Sequence, residues 1–223
     1  MNEIIPAILP RTFDDLSGAL ARLRGAPLTV QLDICDGFFV PERTWPMGPS
    51  DRAHFAEMLK GDEGLPYWQD FNFEVDLMVH TPERYIPQWI AAGVTRVVVH
   101  LESRHEWHDV RDAAGDSVEI GLAVDLDPPY EKLAAYVPRV EYLQIMGIAR
   151  LGRQGENLDE RVFGLVKRVR TDFPDVTIQI DGGVTLENAR ALLDGGADRL
   201  VVGSHIVSDP SPKDALIAFQ NLS

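Results

Sequence analysis

The chain has 223 residues, 45% of them hydrophobic and 25% charged, and carries a formal net charge of -14 at pH 7. Length and composition suit a single globular domain over residues 1–223, with no linker-like or low-complexity run to divide it. The acidic balance excludes a nucleic-acid-binding face or an anionic-membrane surface, both of which need a basic patch.

A small anionic ligand remains open, because backbone amides alone can hold one. The single cysteine, Cys35, rules out an intramolecular disulfide and fits a reducing compartment. Residues Met1 to Pro6 lack the basic start and long apolar run of a signal peptide, and no apolar stretch reaches membrane-spanning length. The expectation is a soluble cytoplasmic protein.

Strand-like runs and amphipathic segments alternate along the whole chain. The strands are expected at Ile4–Leu9, Leu28–Cys35, Phe73–Val79, Arg96–His100, Val118–Val124, Tyr142–Met146, Thr177–Asp181 and Arg199–Val202. The helices are expected at Phe13–Leu23, Asp51–Leu59, Pro82–Ala92, Trp107–Ala113, Tyr130–Val137, Asp159–Asp172, Leu186–Asp194 and Pro212–Asn221. Thr81 before Pro82, and Thr185 before Leu186, are N-cap signals, while Gly93 and Gly195 stand where helices stop. The connection from Gly61 to Asp70 is longer than its neighbours.

Such an alternation predicts an α/β protein of the (β/α)8 TIM-barrel class. An open doubly wound sheet would place a glycine-rich dinucleotide turn after its first strand, where Pro10, Arg11 and Thr12 stand instead. In a barrel the chemistry lies at the C-terminal ends of the strands.

Those ends carry the informative residues. Gln31, Asp33 and Cys35 share one face of the second strand, and Asp36 opens the following loop. Asp76 interrupts an apolar third strand, and Asp181 ends the seventh. A lone aspartate at a strand end most often caps a loop. Three at the same end of one barrel point instead to a divalent-metal site or an acid/base pair, since crowded carboxylates repel unless a cation or proton joins them.

A second group suits an anion. Gly182 and Gly183 follow strand seven, and Gly203 and Ser204 follow strand eight, where this fold commonly cradles phosphate. Gly152 and Arg153, after strand six, complete the group with a positive charge. Gly196 lies at the opposite end and reads as a tight turn. His105 and His108 read as surface residues, Trp68, Trp89 and Trp107 as packing or interface, and Cys35 as pocket lining.

These stretches, in order and spacing, resemble the ribulose-phosphate 3-epimerase family over almost the whole chain. The resemblance is carried by Ile5–Leu9, Asp33–Pro41, Gly48–Pro49, Phe73–Val79, His100–Glu102, Asp181–Val184 with Asn188, and Gly203–Ser204. It implies epimerisation of a ketopentose 5-phosphate, of the ribulose/xylulose 5-phosphate type, through an enediolate. Asp33 and Asp181 fall on the family's acid/base positions, and both also on its metal positions. The family's two metal histidines correspond here to Gln31 and Asp76. Ala7 stands at a serine position and Cys35 at one of three pocket methionines, while Met78 and Met146 match the other two. The loop Ala149–Gln154 departs from the family's glycine-rich pattern.

An all-oxygen shell of Gln31, Asp33, Asp76 and Asp181 favours Mg²⁺ or Mn²⁺ over Zn²⁺ or Fe²⁺, and no organic cofactor is called for. The resemblance further implies a small phosphorylated sugar as ligand and a homo-oligomer. Two alternatives stay open: a non-catalytic barrel that binds a phosphorylated ligand, and an epimerase or isomerase with a changed sugar phosphate. Lysine-dependent decarboxylation, known from related barrels, is disfavoured because Cys35 occupies the position that needs lysine.

Overall fold

Periodicity and cap signals translate into elements with little displacement. A computed structural model describes residues 2–25, 28–61 and 63–222. The strands are β1 (Glu3–Ile8), β2 (Leu28–Cys35), β3 (Phe71–Met78), β4 (Arg96–His100), β5 (Glu119–Val124), β6 (Tyr142–Met146), β7 (Thr177–Asp181) and β8 (Arg199–Val202). The helices are α1 (Phe13–Leu23), α2 (Pro49–Lys60), α3 (Ile86–Ala91), α4 (Trp107–Ala114), α5 (Tyr130–Tyr136), α6 (Arg161–Asp172), α7 (Leu186–Asp194), α8 (Ser204–Val207) and α9 (Pro212–Gln220). The strands follow one another in sequence order around a closed barrel. The registered pairs are parallel, as in β2–β3 and β6–β7. The fold is the (β/α)8 TIM barrel.

Met1, and Asp62 of the 61–70 connection, lie outside the described residues. Where elements differ from expectation, local chemistry accounts for it. The expected helix over 82–92 divides into a 3-10 turn, Pro82–Arg84, and α3. Pro87 has no N–H and its ring crowds the carbonyl four residues back, so the first turn cannot run on, and α3 restarts with proline in its own first turn. Helix α6 starts at Arg161 with Glu160 at its N-cap, and Asp159 stays outside it, its carboxylate accepting from the Arg161 backbone N–H at 3.0 Å. Helix α8 has four residues, too few for a periodic signal.

The backbone clusters into two compact units, Ile8–Ile120 and Met1–Ala7 with Gly121–Ser223. In the first, Thr12 and Asp15 cap α1 reciprocally, side chain to backbone, at 3.1 Å each. An aromatic nucleus fills the space behind its strands. Trp45 packs on Phe13, Phe55 and Trp89 with centroid distances of 5.5, 5.2 and 6.2 Å, and Phe55 lies 5.0 Å from Trp89. Trp45 and Trp89 are both buried, so Trp89 is a packing residue, whereas Trp68 stays exposed.

In the second unit, Arg170 of α6 ties together the start of two strands. Its guanidinium donates to the carbonyls of Pro174, Val176 and Gly196 and pairs with Asp198 at 2.6 Å. The same Asp198 oxygen accepts from the Ile178 backbone N–H at 2.8 Å. Gly196 therefore belongs to the frame at the N-terminal side of β8. Thr185 and Asn188 cap α7 in a second reciprocal box.

Replacing Trp89 by alanine removes a buried ring that packs on both Phe55 and Trp45. Urea unfolding of Trp89→Ala should show a loss of about 3–5 kcal/mol, the usual penalty for emptying a large aromatic site.

Candidate active site

Strand alternation sets the first part of the site. Gln31, Asp33 and Cys35 lie two residues apart on β2, and all three are buried. The Gln31 side-chain amide donates from Nε2 to Oδ1 of Asp33 at 2.9 Å. Pairing of β2 with β3 sets Asp33 level with Asp76 and Cys35 level with Met78. Asp76 meets the next strand through His100, whose Nε2 lies 2.8 Å from Oδ1. Both side chains are fully buried.

The loop after β2 folds back over its own strand. The Cys35 backbone N–H donates to Oγ1 of Thr44 at 2.8 Å, and the Thr44 N–H donates to the Cys35 carbonyl at 3.0 Å. Asp36 organises the rest. Its Oδ1 accepts from the N–H groups of Phe38 and Phe39, and its Oδ2 accepts from that of His80 beyond β3. Phe39 is thereby laid against the His100 ring, 5.0 Å between centroids, while Phe38 is 75% exposed.

Burial, and then the negative charge of Asp33, Asp76, Glu42 and Asp36, pushes the Cys35 thiol far above its ordinary value. A thiol so held is neutral at physiological pH and has no nucleophilic character. This agrees with Cys35 as lining.

Asp181 ends β7, beside Met146 of β6 in register. Two buried amides stand behind it. Gln144 donates from Nε2 to Oδ2 of Asp181 at 3.3 Å and lies 3.4 Å from the Met146 sulfur. Gln179 donates to Oε1 of Gln144 at 2.8 Å, which turns the Gln144 NH2 group toward the carboxylate. Neither glutamine stood among the sequence candidates: an uncharged amide within a strand stands out less than a charge, and the burial that requires it to be paired shows only in the structure.

The loops after β6, β7 and β8 pack on one another. Gly182 and Gly183 adopt positive φ, 98° and 72°, and a Cβ on Gly183 would collide with the Asn157–Leu158 backbone. Their glycine identity is thus required by this packing, whatever ligand their N–H groups meet. Asn188 of α7 donates to the Gly183 carbonyl at 2.9 Å and fixes the turn. Gln154 crosses to the end of β1, donating to the Ala7 carbonyl at 3.1 Å, and its amide lies 2.9 Å from where a Cβ on Gly203 would be. Gly203 precedes α8, of which Ser204 is the first residue. Gly152 is buried, and Arg153 is exposed on the same loop.

Among the described residues, one group of acidic side chains has metal-binding geometry. Asp33, Asp76 and Asp181, all buried, each offer an oxygen within 4.8 Å of the others. All three donors are hard oxygens.

A family model described as the ribulose-phosphate 3 epimerase family matches residues 3–207. The chain belongs to that family. Proteins named ribulose-phosphate 3-epimerase from Schizosaccharomyces pombe and Bacillus subtilis are 25% and 26% identical to it. The alignments span 98% and 97% of this chain, and 92% and 97% of those relatives. The Mycobacterium tuberculosis H37Rv protein of the same name is 28% identical over 97% of this chain and 91% of its own length.

Solved structures extend the likeness in fold alone. Orotidine 5'-phosphate decarboxylase from Pyrococcus horikoshii aligns with a TM-score of 0.65 at 15% identity, covering 98% of each chain. The 3-hexulose-6-phosphate synthase from Salmonella typhimurium aligns at 0.67 and 12% identity, over 100% of this chain and 98% of that one. Within the epimerase family, then, this chain carries a cluster of three buried carboxylates, each with a strand-borne partner.

The raised Cys35 value sets a direction with pH. The unfolded thiol ionises from about pH 9, the folded thiol only above that. Its contribution to stability is therefore full below pH 9 and declines as pH rises past it. Urea midpoints followed into the alkaline range should fall less steeply for Cys35→Ala than for the wild type.

Proposed function

We propose that the chain interconverts ketopentose 5-phosphates of the ribulose/xylulose type by proton removal and return at the carbon beside the ketone. The observation that carries this reading is the buried set of Asp33, Asp76 and Asp181 in a member of the epimerase family. Asp33 and Asp181 are retained at the acid/base positions that the resemblance implies. One takes the proton from one face of the sugar; the other, protonated, returns one to the opposite face, which inverts the centre. Gln31 and Gln144 donate to these two carboxylates and hold them as acceptors toward the substrate.

The donor set fits a divalent cation. Asp33, Asp76 and Asp181, with the Gln31 carbonyl oxygen as a fourth donor, would hold it. When bound, it supplies positive charge to the oxygens of the deprotonated sugar. All-oxygen donors favour Mg²⁺ or Mn²⁺ over Zn²⁺, and with amide in place of imidazole the affinity is low. Three aspartates exceed the ion's charge by one, and the proton carried by the acid restores balance.

Phosphate falls to the loops after β6, β7 and β8: the amides of Gly183, Gly203 and Ser204, with Arg153 and Gly152 on the third loop. Ala7, Met78 and Met146 line the sugar. In the loop Ala149–Gln154, Gln154 is set against Gly203 and the Ala7 carbonyl, and so shapes the phosphate end of this pocket.

Solvent deuterium should enter ribulose 5-phosphate in the presence of wild-type protein and Mg²⁺ or Mn²⁺. Asp33→Asn and Asp181→Asn should each slow exchange by about 10²–10⁴-fold, the contribution of a positioned acid or base. Phosphosugar binding without exchange under any divalent metal would overturn the enzyme reading in favour of a binding barrel. Stoichiometric zinc in purified protein would overturn the preference for a hard cation.

A further inference from the structure

The proton-transfer scheme leaves one buried couple unused. His100 and Asp76 are fully buried and 2.8 Å apart, on the adjacent parallel strands β4 and β3. Asp76 is level with Val98, so His100, two residues further along β4, shares the Val98 face and reaches back to the carboxylate. The imidazole has little freedom. Phe39 lies against it at 5.0 Å, tilted by 51°, on a loop tied down by Asp36. An imidazole nitrogen facing a carboxylate bears hydrogen in the neutral as in the charged ring, because two facing acceptors repel.

We infer that His100 is a positioning residue, which holds the Asp76 carboxylate in the orientation that ligates a divalent cation. The inference rests on the reading that Asp33, Asp76 and Asp181 hold such an ion. A carboxylate turns about a broad torsion on its terminal bond. A hydrogen bond on Oδ1, from a ring that is itself packed, sets the plane in which the ligating oxygen points. Partners that orient metal ligands in this way are typically worth 10–100-fold in metal affinity.

The test uses two amides that differ in reach. In His100→Gln the side-chain NH2 reaches the place of Nε2; in His100→Asn it stops short. Mn²⁺ binding to whole metal-stripped protein, followed by electron paramagnetic resonance of the free ion, gives a readout independent of turnover. Thermal unfolding without metal reports whether each variant is folded. The inference expects affinity within about threefold of wild type for His100→Gln and a 10–100-fold loss for His100→Asn. Equal affinity in all three proteins, or equal loss in both folded variants, would overturn it while leaving the metal reading standing. A wild-type protein that takes up no Mn²⁺ would overturn both.

Discussion

Like charges crowded away from water are the constraint on which the rest of this site depends. Two ionised carboxylates with oxygens no more than 4.8 Å apart repel by at least roughly 3–4 kcal/mol at an effective dielectric of about 20. The chain meets this with donors that add no negative charge: an amide on Asp33, an imidazole on Asp76 and a second amide on Asp181. Each donor comes from a strand, so its position is set by pleat and register and not by a mobile loop. A charge-assisted hydrogen bond is stronger than a neutral one, and leaving such a carboxylate without a partner carries a heavy penalty. Gln31, Gln144 and His100 therefore belong with the acids they face, and Gln179 with Gln144, which it orients.

The barrel separates holding the fold together from doing chemistry. Arg170 and Asp198 bind the strand starts in the second unit, and the Trp45–Trp89 nucleus fills the first. The candidate chemistry lies at the other ends of the strands, as the architecture requires. Gln31 and Asp76 are polar on the inner face of their strands without disturbing the apolar alternation that builds them.

The fold was legible because the strands alternate with segments marked by an amphipathic period, a cap or a proline in the first turn, the four-residue α8 apart. Asp33, Asp76 and Asp181 were legible as a group because a charge inside an apolar run is conspicuous, and the strand direction says which end it occupies. Gln144 and Gln179 were not, since a neutral amide within a strand raises no alarm until its partner is known. His100 was visible as a strand end, but only register shows that it faces Asp76. The glycines after β7 illustrate the converse. Their sequence pattern suggests a ligand cradle, yet close packing against residues 157 and 158 already demands glycine at 183. The role of Asp36 was hidden for a related reason: its partners, Phe39 and His80, lie on two different loops.

That last residue has a consequence for how the loop after β2 can vary. Asp36 accepts three backbone N–H groups, two on one oxygen and one on the other, and is almost fully buried. An amide of the same shape offers one acceptor oxygen and one donor nitrogen, so it would set a hydrogen against a hydrogen at Phe38 and Phe39 or at His80. The position thus demands a carboxylate on grounds of hydrogen-bond parity alone. Asp33 and Asp36, three residues apart and alike in every sequence property, answer to different masters: one to whatever enters the barrel, the other to the chain's own backbone.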